Sequence, residues 1–114
     1  MRYATILIIL LFISFEAYNQ TTTNICNNPL RASLNKLPEI KTKSKWFKVY
    51  RVGDNVLAIV EPYNFEEAIS YLILGNNKAL LFDTGIGVDS ISLVVKQLTK
   101  LPILVINSHS HYDH

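Results

Sequence analysis

The chain has 114 residues, about half of them apolar, and a net charge of +2 with histidine neutral. That length allows one domain, and the charge lacks the concentrated basic footprint of a nucleic-acid binder, so no nucleic-acid partner is expected. The single cysteine, Cys26, excludes an internal disulfide framework.

Arg2 and the apolar run from Ala4 to Ile13, broken by Ser14 and Glu16, have the make-up of a secretory signal peptide. A secretory apolar core is roughly 7–15 residues, whereas a spanning helix needs about 20. Residues 1–19 therefore read as a signal peptide cleaved near Ala17 to Gln20. The folded part would then be periplasmic or extracellular, without stable membrane insertion; left uncleaved, the segment would be an anchor. Cys26 lies too far beyond the apolar run to be a lipid-attachment site. Residues 20–45 are polar, are broken by Pro29 and Pro38, and read as a linker or N-terminal extension with a helical turn or two between Leu30 and Leu37. Lys41, Lys43, Lys45 and Lys48 read as a solvated lead-in to the first strand, with a weak phosphate patch as the other reading.

From Trp46 the pattern becomes aromatic and β-branched, which favours a strand through Val52. Gly53-Asp54-Asn55 is a turn cluster, and Val56–Val60 is a second strand, stopped before Pro62. Ala68–Leu74 is a third strand. Ala79–Phe82 is a fourth, apolar throughout, as in a strand covered on both faces. A helix is expected from Ser90 to about Lys100, with Asp89 as its N-cap and Pro102 ending it. Ile91, Val94, Val95 and Leu98 form its apolar face. Ile103–Ile106 reads as a fifth, buried strand, parallel to the fourth because a helical crossover joins them.

The fifth strand runs into His109-Ser110-His111-Tyr112-Asp113-His114, which holds all 3 histidines of the chain. His109 and His111 fall on one side of an extended backbone and within reach of one ion. Asp113 and His114 are adjacent and need a turn to converge, which suits a second ion beside the first. A nitrogen and oxygen donor set without sulfur suits Zn²⁺, and also Fe, Mn or Co. The bland reading is a histidine-rich loop that takes up metal adventitiously. The aspartate inside the run and the apolar strand leading into it argue against that.

His-Ser-His-Tyr-Asp-His resembles the His-x-His-x-Asp-His signature of the metallo-β-lactamase superfamily, and Asp83-Thr84-Gly85 at the end of the fourth strand resembles its other N-terminal landmark. The resemblance covers roughly Val49 to His114. It implies an α/β fold, the N-terminal half of a four-layer αβ/βα sandwich, with residues 46–114 as an incomplete domain. It implies His109 and His111 as ligands of a first metal, and Asp113 and His114 as ligands of a second, so two Zn²⁺ per complete site. Asp113 would also orient the nucleophilic water and carry its proton. Asp83 would lie behind the ligands, hydrogen-bonding within the floor of the site; a plain buried turn carboxylate capping backbone N–H groups is a nearly equal and compatible reading. Gly85 and Gly87 would allow the tight loop, and Tyr112 is taken as structural.

The superfamily supplies further ligands beyond the position of His114. The expectation is therefore a fragment of a longer protein that alone binds metal poorly, does not catalyse and leaves sheet surface exposed. For the whole protein the implied activity is hydrolysis of an ester, thioester, lactone or β-lactam, that is, a small-molecule substrate. Two other readings compete: a phosphodiesterase or nuclease of the same superfamily, and a truncated, inactive metal-binding chain.

Overall fold

A computed structural model of the chain describes residues 33–114. The signal-peptide reading, Cys26 and the first part of the linker lie outside the described residues. The described part is a mixed six-stranded sheet with one α-helix. A 3-10 turn, Leu34–Lys36, precedes strand β1, Glu39–Ile40. Then come β2 (Lys48–Gly53), β3 (Val56–Val60), β4 (Ile69–Leu74), β5 (Ala79–Phe82), helix α1 (Ile91–Leu98) and β6 (Ile103–Ile106).

The strands lie side by side in chain order. Neighbours from β1 to β5 are antiparallel, as short turns require. β6 is parallel to β5, with Ala79 opposite Ile103 and Phe82 opposite Ile106. The helical crossover between them makes that possible, as expected from the sequence.

Alternation along β3 sorts the core into two faces. Leu57 and Ile59 join Val49, Leu72, Ala79 and Leu81 beneath Val94 and Val95 of α1, while Ala58 and Val60 pack with Tyr50 and Leu34 on the other face. Ile91 and Leu98 are partly buried against the first cluster, so the expected apolar face of α1 is the one that packs. Each fully buried aliphatic side chain contributes about 1.5–3 kcal/mol relative to exposure.

Several expectations need correcting. β1 lies within the stretch read as linker, where Glu39 and Ile40 pair with Tyr50 and Val49; two residues are too few to carry a strand pattern. Trp46 and Phe47 precede β2, because Ser44 Oγ accepts both of their N–H groups and holds a turn there. α1 starts at Ile91 with Ser90 as its N-cap residue, and no side chain caps it. Asp89 instead accepts from the Ser90 N–H at 2.7 Å and the Ser44 hydroxyl at 3.2 Å, so its carboxylate is turned away from the first helical turn. The helix ends at Leu98, before Pro102, because Thr99 is extended. β6 has the expected limits but is not buried: its four residues are 38–56% exposed. Among the described residues it has one strand neighbour, β5, at the end of the sheet.

Candidate metal centre

Parallel pairing of β5 and β6 sets the site. With Phe82 opposite Ile106, the loops that follow leave the sheet side by side at the carboxyl ends of two parallel strands, where α/β sheets gather their functional groups. The Asp83 N–H still donates to Ile106 O at 2.9 Å, so Asp83 sits abreast of the segment that opens the histidine run.

Asp83 has φ 64°, a left-handed backbone that Asp tolerates better than most L-residues. Its carboxylate is buried and reaches into the run at two points. Oδ1 accepts the Ser108 N–H at 2.6 Å, from a residue 25 positions away in sequence. Oδ2 lies 3.0 Å from Nδ1 of His114. Burial alone pushes the Asp83 carboxyl up, but the Ser108 N–H, the His114 ring and the Ser108 hydroxyl together hold it below the usual carboxylate range.

The histidines gather. The rings of His109 and His111 have centroids 4.5 Å apart, and those of His109 and His114 are 4.0 Å apart. His109 Nδ1 is 2.8 Å from Ser108 Oγ, a hydrogen bond whose direction follows the tautomer. Nδ1 is thus the nitrogen engaged by protein in both His109 and His114. Nε2 of His114 lies 3.4 Å from Asp113 Oδ2. The end of the run is pinned by Thr84 Oγ1 and Asn107 Nδ2, which both donate to His114 O, at 3.1 and 2.9 Å. Tyr112 is exposed, and its hydroxyl donates to Glu66 Oε1 at 3.1 Å. That bond raises the phenol pKa, because ionisation would place two anions together.

Sequence reasoning thus named residues that the fold brings into one cluster: Asp83, His109, His111, Asp113 and His114. Among the described residues, no three His, Cys, Asp or Glu side chains converge on a common ion position. The donor chemistry nonetheless fits a borderline divalent ion. Imidazoles and a carboxylate lie together: protein contacts engage Nδ1 of His109 and of His114, and Nε2 of His114 faces the Asp113 carboxylate.

Sequence reasoning missed Glu61. Its side chain is almost wholly buried. Oε2 accepts from Trp46 Nε1 at 2.7 Å, and Oε1 accepts the Ile86 N–H at 3.0 Å. A glutamate ending an apolar strand is the only trace in the sequence. The lysine segment lines a separate hollow of about 390 Å³ that includes Lys41, Lys45 and Lys48 and no residue of the histidine run. Lys41 is paired there with Glu39 at 2.6 Å.

Residues 65–114 match the family model described as the metallo-beta-lactamase superfamily. No curated protein matches the chain.

Proposed function

We propose that this protein, whose residues 65–114 belong to the metallo-β-lactamase superfamily, is an exported metal-dependent hydrolase acting on an ester, thioester, lactone or β-lactam. The observation that carries the reading is the cluster of three imidazoles and Asp113 at the carboxyl ends of β5 and β6, backed by the buried carboxylate of Asp83. In this reading the sheet and α1 form part of a four-layer αβ/βα sandwich. His109 and His111 would hold a first zinc ion, and Asp113 and His114 would hold a second. The chemistry such ions supply is Lewis acidity, which brings the pKa of water towards neutrality and polarises a scissile carbonyl.

The chain's own groups do the rest. Asp83 Oδ2, 3.0 Å from Nδ1 of His114, would accept the proton there and so would direct Nε2 towards the metal. Ser108 is held by Asp83 through its N–H and, through its hydroxyl, steadies His109. Asp113 is half-buried beside His114, placed to orient the attacking water and take its proton. Thr84 and Asn107 both donate to the His114 carbonyl and hold the backbone there.

The test is an assay of the protein as encoded, zinc-loaded, against nitrocefin, a lactone and a thioester in parallel. Turnover of at least one is expected, lost on chelation and in Asp113→Asn. Metal-dependent cleavage of nucleic acid alone, with a steep salt dependence, would move the reading to a phosphodiesterase. Absence of any metal-dependent turnover would sink it.

A further inference from the structure

The superfamily motif does not use the buried acid at the far end of β3. Glu61 continues the β3–β4 ladder by one step: its N–H donates to Ala68 O at 3.0 Å. Its backbone is therefore part of the rigid sheet, and its side chain leaves from a fixed point. Both carboxylate oxygens are in use. One meets the indole N–H of Trp46, the other the backbone N–H of Ile86. Ile86 lies in the loop that begins at Asp83, 25 residues away from Glu61 in sequence.

Gly85 shows how tightly that loop is drawn onto the acid. Its φ is +75°, and a Cβ built on it would run into Glu61 Oε1. Only glycine satisfies both conditions. A buried carboxylate that accepts two N–H groups is well satisfied; losing it would leave a loop N–H without its partner, at a cost well above that of the bond itself.

We infer that Glu61 is a positioning residue: it clamps the loop from Asp83 to Ile86 against the sheet, so that the Asp83 carboxylate faces Ser108 and His114. Trp46 is the second jaw of the clamp, since its indole fixes the carboxylate that holds Ile86. The consequence for metal uptake rests on the function proposed above; the clamp itself does not.

The test is amide hydrogen exchange in Glu61→Leu, which keeps the bulk and removes both acceptors. Exchange at Ile86 and Ser108 is expected to accelerate on the order of tenfold, with core amides such as Ile59 and Leu72 unchanged. The nitrogen resonance of His114 Nδ1 should shift in the same variant, because its partner is no longer fixed. Glu61→Gln, which keeps one acceptor, should show the same pattern at smaller size, and it carries the test if the leucine variant does not fold. A uniform acceleration of all amides, or no change at Ser108, would overturn the inference. Co²⁺ uptake by the unmodified protein is measured in parallel: its absence would sink the metal reading and leave the exchange result standing.

Discussion

Asp83 joins two stretches that the sequence holds 25 residues apart. Its left-handed backbone costs an L-residue on the order of 1 kcal/mol, offset by two hydrogen bonds made by the same carboxylate. Asp83→Ala removes both. Metal affinity is expected to fall about 10–100-fold, as for other groups that orient a ligand from behind, measured by competition with a chromogenic chelator. Gly85→Ala should be worse for the fold than for the ligands. It adds strain at positive φ and pushes on Glu61, and a loss of at least about 1 kcal/mol is expected by denaturant titration. At this scale the sequence was legible where residues come in a spaced signature, as in the histidine run and Asp83-Thr84-Gly85. Glu61 was not, because its partners, an indole and a backbone N–H, lie 15 and 25 residues away and leave no local pattern.

The elements most legible from sequence were those fixed by short-range chemistry. β3, β5 and β6 run where their apolar stretches run, and the apolar face of α1 is the face that packs. What failed depends on neighbours. β6 is as apolar as β5, yet it stands exposed because a strand's burial is set by what lies beside it. Asp89 had the right residue type for a cap, but Ser44 competes for its carboxylate. β4 ties the layers together through Leu72, which is opposite both Leu57 and Leu81 and has no exposed surface. Leu72→Ala should therefore cost about 2–5 kcal/mol, read by thermal or urea unfolding, without altering any residue of the histidine cluster.

At the scale of the whole fold, one parallel pairing among the described strands, in an otherwise antiparallel sheet, gathers the residues of the candidate site. The antiparallel strands build a platform, and the crossover through α1 returns the chain so that two loops open at the same edge. Asp83 comes from one loop and the histidines from the other. Chain order and the helix between β5 and β6 made this layout legible in advance. The packing of the rings against one another was not, because it depends on how the loop turns after Ser110 and on the bonds that hold His114 O.

X-ray absorption at the zinc edge, on the protein as encoded, addresses the centre directly. A shell of nitrogen and oxygen at about 2.0–2.1 Å is expected, losing imidazole scattering in His109→Ala/His111→Ala and losing bound zinc further when Asp113 and His114 are also replaced. A spectrum unchanged by those substitutions, or one with sulfur in the first shell, would contradict the assignment of the metal to this cluster.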